Sequence, residues 1–254
     1  MTILYKTPAK GPGGPARLLR YLAMPIFLGF ACLALYLYIG SKDLDSIERR
    51  SINANVITAR LIEHIQLAAV STVIVVVLAV GVGILLTRPF ARRVTTPIVG
   101  IANIGQAIPS IGLLAILAVV WAGGFWPAVV ALVAYSFLSI LRNTMVGLRQ
   151  VDPAVIESGR GMGMTKAAVL ARIEMPLAVP VVLAGVRTAL VINVGTATIA
   201  VLTNAGGLGT IIFSGIVQNR QTVLLTGSIL AAVLALAVDY VAGVAEDKIK
   251  PRGL

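Results

Sequence analysis

Apolar residues in this chain come in long, nearly unbroken runs, with little of the three-to-four spacing of a half-buried helix or the alternation of a half-buried strand. Six runs reach the length of about 20 residues that crosses a bilayer core. They span Met24 to Gly40, Ile65 to Leu86, Ile98 to Val120, Ala128 to Leu148, Leu177 to Leu202 and Val223 to Val244. Pro109 interrupts the third run, and Gly185 and Gly195 the fifth; spanning helices tolerate both residue types where neighbours re-satisfy the backbone. The pattern predicts an all-α integral membrane protein of about six transmembrane helices. One membrane domain over residues 23–247 would carry short tails, 1–22 and 248–254.

The polar stretches between the runs refine this picture. Thr7 to Pro15 is rich in Gly and Pro and is expected to be disordered until Arg17. The first run has the basic start of a secretory signal but no small-x-small site before Ser41, so it is expected to remain as a span. Ser41 to Arg60 is polar and reads as a short amphipathic helix lying in the outer interface. Trp121, Phe125 and Trp126 flank a tight Gly123-Gly124 turn, as an aromatic belt would.

Composition narrows the class. With 58% hydrophobic and 12% charged residues among 254, and a mean hydropathy of +0.95, a soluble core is excluded. The net charge of +11 is unevenly spread. With the N-terminus inside, 15 Lys and Arg fall on inner segments and 5 on outer ones, which predicts both termini cytoplasmic. No aromatic-interleaved basic patch accompanies the charge, so lipid head groups, not nucleic acid, are its expected partners.

Candidate chemistry is sparse. The single Cys, Cys32, lies in the first run, and the single His, His64, beside Glu63, reads as an interfacial polar residue at the start of the second. The sequence has no metal-ligand cluster, no phosphate-binding Gly-x-x-x-x-Gly-Lys-Ser/Thr loop and no Ser/His/Asp set. A non-enzymatic membrane subunit is the expectation, with no cofactor in this chain.

Between the fourth and fifth runs, residues from about 149 to 176 form a long polar loop. Asp152 can cap a helix, Pro153 fits its first turn, and Gly159, Gly161 and Gly163 break it. The loop is expected to end in a helix that starts at Pro176. Glu157, Ser158, Gly159, Gly163, Ile173, Met175 and Pro176 follow a pattern that resembles the docking loop of ABC-importer permeases. Ser-Gly stands where that family usually has Ala-Ala, and Met175 where it usually has Leu.

The resemblance extends from roughly Ile65 to Val244. It includes Gln106-Ala107-Ile108-Pro109-Ser110, Leu141-Arg142-Asn143-Thr144, Ala184 to Ala189, Ile192 to Thr198 and Ala205-Gly206-Gly207-Leu208-Gly209. These stretches are similar to the osmoprotectant branch, the importers of glycine betaine, choline and carnitine. An acidic residue often follows the Gly-Gly-Leu-Gly run in that branch; here it is Thr210.

The resemblance implies a type I importer fold in a bacterial or archaeal inner membrane. It also implies a second permease chain, identical or different, an ABC ATPase subunit that binds ATP and Mg, and an external substrate-binding protein. Glu157, Gly163 and Pro176 would form the coupling set. Polar residues inside spans tend to face the bundle interior or a wet cavity, which makes Asn103, Gln106, Ser110, Asn193, Thr196 and Thr198 candidate pathway residues. The first three would share one helical face; hydrogen bonding between helices is the competing role for all six. Arg187 and Asp239 are a candidate intramembrane ion pair. An amino-acid permease, for instance for methionine, is the alternative substrate reading. A secondary transporter and a scaffold without transport are the alternative classes.

Overall fold

The computed structural model describes residues 14–249, with side chains from residue 21 onward. Of the tail expected to be disordered, Gly14 and Pro15 already belong to the first helix, and the remainder lies outside the described residues. The described residues are helical throughout apart from short connections. Five helices are long and apolar enough to cross a membrane, and a bent pair supplies a sixth span if its two halves count as one.

The chain begins with α1 (Gly14–Gly40), α2 (Ser46–Ser51) and α3 (Ala54–Leu86). α1 packs mainly on the last helix and leaves Phe27, Phe30, Leu33 and Tyr36 exposed, as a lipid-facing surface would. α2 is a short helix within the stretch from Ser41 to Arg60, whose residues from Ala54 onward already belong to α3. Asp45 starts α2 with a capping box, in which its side chain accepts from the Ile47 and Glu48 N–H groups and Glu48 accepts from the Asp45 N–H. Asn53 then caps α3, which starts eleven residues before the predicted Ile65. At 33 residues α3 is about 50 Å long, more than a bilayer core of about 30 Å, so it tilts or protrudes.

The third predicted span is two helices, α4 (Arg92–Ala107) and α5 (Ser110–Val120), bent by 92°. Pro109 supplies no N–H and disfavours a helical residue before it. Ile108 is accordingly extended, with φ −67° and ψ 130°. The expected common face of Asn103, Gln106 and Ser110 therefore does not exist, because Ser110 begins a separate helix.

α6 (Phe125–Arg149) follows a turn in which Ala122, Gly123 and Gly124 all have positive φ. The Gly124 N–H donates to the Thr203 carbonyl, tying this turn to the other loop at the same end of the bundle. Then come α7 (Pro153–Gly161), α8 (Lys166–Val169), a π-helical turn (Leu170–Glu174), α9 (Met175–Ala197) and a 3-10 turn (Ile199–Thr203). α10 (Gly209–Val217) and α11 (Gln221–Ile249) complete the chain.

α3, α6 and α9 form the centre, with the most extensive helix contacts. Their close approach depends on small residues. A Cβ at Gly83 would lie 2.8 Å from Thr144 Cβ, one at Gly147 3.0 Å from the Ala178 carbonyl, and one at Gly185 2.6 Å from Asn143 Cβ. Lipid tails are as apolar as Leu, so close van der Waals fit holds such helices together. α10 and α11 pack as a hairpin against the end opposite α7, where Leu208, Ile211 and Val223 are buried with Ile52.

Candidate functional site

α7 is a short, polar-faced helix at one end of the bundle. Asp152 caps it by accepting from the Ala154 N–H, and Pro153 occupies the first turn. It ends in a Schellman arrangement: the Gly163 N–H donates to the Arg160 carbonyl and the Met164 N–H to that of Gly159, with Gly163 at φ 84°. The left-handed cap explains why glycine is needed at 163. Glu157, Ser158 and Arg160 are exposed, as are the apolar side chains of Val155 and Met162. α7 thus offers a mixed charged and apolar surface, the composition of a protein contact.

The inner side of α7 rests on the start of the next span. A Cβ at Gly159 would meet Ile173 Cδ1 at 2.5 Å and Val169 Cγ2 at 3.6 Å, which accounts for the small residue and the Ile together. Pro176 stands in the first turn of α9, as expected, but α9 has no free N-terminus. The proline lies inside a helical rod that runs from Lys166 to Ala197. Inside a continuous helix a proline supplies no N–H, and its ring crowds the carbonyl four residues back. The π-helical turn from Leu170 to Glu174 widens the rod just before it. Glu174, in that turn, is 4% exposed and forms a paired contact with Arg88 at the end of α3, at 2.5 and 3.2 Å. A mechanical chain therefore runs from α7 through Ile173 and Glu174 to α9 and α3.

The polar residues of the spans are dispersed. Asn103 on α4 accepts from Arg142 Nη2 of α6 at 2.6 Å, while Gln106 is half-buried one turn further on. Ser110 is the first residue of α5. Asn193 is fully buried and donates to Thr72 Oγ1 of α3 at 3.0 Å, an interhelical contact. Thr196 is half-buried, and Thr198 donates to the Gly195 carbonyl and borders an apolar groove with Ile111, Phe213 and Ile216. Arg187 meets Asp239 in a two-bond contact, Nε to Oδ1 at 2.6 Å and Nη2 to Oδ2 at 2.7 Å, with Glu246 3.6 Å from Nη1. The site is half-buried between α1, α9 and α11, beside Tyr21 and Tyr240.

His64, read from sequence as a polar residue at the start of a span, is fully buried between helices: Nε2 lies 2.9 Å from the Val194 carbonyl, and Nδ1 accepts from the Leu208 N–H. α3 begins earlier than its apolar run, which carries His64 inside the bundle. Sequence reasoning also missed the Arg88–Glu174 and Arg142–Asn103 contacts. The available signal was a charge at or near a span end, Arg88 and Glu174, with no partner close in sequence.

Known proteins agree with this geometry. Residues 79–252 match the family model described as binding-protein-dependent transport system inner membrane component. The chain is 41% identical over 192 residues to the choline transport system permease protein OpuBB of Bacillus subtilis, covering 76% of this chain and 88% of that one. It is 39% identical over 200 residues to the carnitine transport permease protein OpuCD of Listeria monocytogenes, covering 78% and 89%. With the osmoprotectant import permease protein OsmY of Salmonella typhimurium it shares 37% over 221 residues, covering 86% and 92%. Among solved structures, the inward-facing MetNI methionine ABC transporter superposes with a TM-score of 0.67 at 24% identity, over 79% of this chain and all of that one. At that identity the likeness carries the fold alone, that of a type I ABC importer permease. The chain belongs to the family of inner membrane components of binding-protein-dependent transport systems.

Proposed function

We propose that this chain is the permease subunit of an ATP-driven importer and forms the path for a small osmoprotectant such as choline, carnitine or glycine betaine. The observation that carries the reading is the identity of 37 to 41% with permeases for choline, for carnitine and for osmoprotectants, over three quarters or more of the chain. ATP and Mg belong to a separate ATPase subunit, an external binding protein delivers the solute, and a second permease chain completes the path. This chain does no chemistry itself. Both termini are cytoplasmic, which puts α7 and the coupling segment, residues 149–176, on the ATPase side; tails 1–22 and 248–254 flank the membrane domain.

In this reading α7 enters the ATPase with Glu157, Val155 and Met162 outward. Nucleotide-driven closure displaces α7 as a rigid body about its Gly163 end. Gly159 pressing on Ile173, and Glu174 held by Arg88, pass the displacement to α9 and α3 together. Asn103, Gln106, Ser110, Asn193, Thr196 and Thr198 are the proposed polar residues of the path. Arg142, exposed on α6 and bonded to Asn103, joins them, because a charge within a span belongs in water or against a partner.

The test is affinity purification of the tagged chain, wild type and Glu157→Ala, from its own host, with uptake of labelled choline, carnitine and glycine betaine. An ATPase is expected with the wild type, and its loss or uncoupling with the variant. Uptake without any associated ATPase would overturn the reading in favour of a secondary transporter.

A further inference from the structure

Glu63 and His64 follow one another on α3, and both reach the loop that joins the 3-10 turn to α10. Glu63 Oε2 accepts from the Gly207 N–H at 2.8 Å, and His64 Nδ1 accepts from the Leu208 N–H at 3.3 Å. A backbone N–H can only donate, so Nδ1 carries the lone pair. The ring proton is then on Nε2, which donates to the Val194 carbonyl at 2.9 Å. One buried imidazole thereby joins three segments: α3, the end of α9 and the loop.

The loop is built to receive this pair. Gly206 and Gly207 have φ of 82° and 84°, a conformation that turns successive N–H groups towards α3. A Cβ at Gly206 would collide with the Glu63 carboxylate, and one at Gly207 would lie 3.2 Å from His64 Nδ1. Leu208 is fully buried against Ile52, Ile211 and Val223, and Gly209 is pressed on the Thr198 carbonyl. The position of the loop therefore sets that of α10, whose Phe213 and Ile216 form a groove with Thr198.

The charged surroundings are simple. On α3 itself, Arg60 pairs with Glu63 at 2.8 Å. Residues 194–217, covering the end of α9, the 3-10 turn, the loop and α10, contain no ionisable side chain. Around Leu208, Ile52 and Val223 are apolar, and the charges of the neighbouring elements, Asp45 before α2 and Arg220 before α11, pair with each other at 2.8 Å.

We propose that Glu63 and His64 are positioning residues of the transport cycle: together they latch the Gly206–Leu208 loop, and a proton taken up by His64 releases it, so that acid on that side slows uptake. The proposal rests on the importer reading for its transport consequence. An imidazolium carries hydrogen on both nitrogens, so Nδ1–H would face the Leu208 N–H, donor against donor, and leave that buried amide without an acceptor. Glu63 keeps its bond to Gly207, so the loop would be released at one of its two anchors and move.

The experiment uses the intact importer in cells and the full-length chain in lipid vesicles. Initial uptake is measured from about pH 7.5 to about pH 5 outside for wild type, His64→Asn and Glu63→Gln. Asn places an acceptor at the Nδ1 position that takes up no proton. The wild-type maximal rate is expected to fall on the acid side, approaching about tenfold per pH unit, with KM little changed. His64→Asn should lack that limb and Glu63→Gln should keep it.

In parallel, a membrane-impermeant thiol reagent is applied to Leu208→Cys and, as an exposed reference, Asn204→Cys, both in a Cys32→Ser background. The ratio of their labelling rates should rise on acidification with His64 present and stay level with His64→Asn. Parallel acid limbs in wild type and His64→Asn, or a level ratio with His64 present, would overturn the latch. Absence of uptake at every pH would count against the importer reading instead, and the labelling ratio would still decide the latch.

Discussion

Gly159 of α7 lies against Ile173 of the π-helical turn so closely that any larger residue at 159 must displace the Ile side chain. The atom it would meet is Cδ1, the free end of a flexible side chain, so Ala can be accommodated by a small shift. Gly159→Ala should change stability by less than about 1 kcal/mol, whereas Gly159→Leu should cost about 1–3 kcal/mol by overpacking. Thermal unfolding of the solubilised chain measures this. Retention of the ATPase by the Ala variant and its loss by the Leu variant would place the effect on the docking helix.

Arg88 and Glu174 join α3 to the same turn. The Glu174 side chain is 6% exposed and that of Arg88 25%, so removing the Arg leaves a carboxylate nearly buried and unpaired. Arg88→Met is expected to destabilise by about 3–5 kcal/mol, and the double variant Arg88→Met/Glu174→Met to recover most of it. If the double variant is no better than the single one, the contact is not an ion pair of consequence.

Arg187 and Asp239 should behave as a unit of smaller weight, since both side chains are about a third exposed. Arg187→Ala is expected to cost about 1 kcal/mol, below the roughly 1.5–3 kcal/mol of hydrogen bonds to charged groups because solvent screens a pair this exposed. Arg187→Lys should restore only part, because an ammonium cannot reproduce the two parallel bonds. A double-mutant cycle with Asp239→Ala, read by thermal unfolding, should give a coupling of at least about 0.5 kcal/mol; additivity would refute the unit.

The Asp45 carboxyl is held below its ordinary value by the Glu48 and Ile47 N–H groups and by Arg220, whose Nη2 lies 2.8 Å away. A depressed folded value means that its contribution is present above the unfolded carboxyl range, near about pH 4, and is lost as pH falls through the folded value. The contact between α2 and the α10–α11 loop should therefore be constant across neutral and mildly acidic pH and weaken only in strong acid. Asp45→Asn should keep the helix cap and remove this acid dependence. Hydrogen exchange of the Ile47 and Glu48 amides as a function of pH tests both statements.

The long spans and the helix α7 were legible in sequence because each depends on local chemistry. Apolar runs of bilayer length have few alternatives to a membrane helix, and Asp152, Pro153 and Gly163 cap α7 within their own segment. The third span was misread because Pro109 has two outcomes in a membrane: a kink that neighbours repair, or a break. Only packing on α6 and on the 3-10 turn decides between them. Here it gives a break of 92° and puts Ser110 on a different helix from Asn103 and Gln106.

Sequence by itself determined the membrane class, the approximate spans, the family resemblance and the candidate coupling residues, since hydropathy, caps and motif spacing are properties of neighbours along the chain. Tertiary structure alone decided that α8 and the π-helical turn run on into α9, that Arg88 holds Glu174 and that His64 is buried under the Gly206–Leu208 loop. Those contacts join groups 86 and 144 residues apart. Their partners are chosen by which helices come close enough, through glycine and other small residues, to leave no other donor or acceptor within reach.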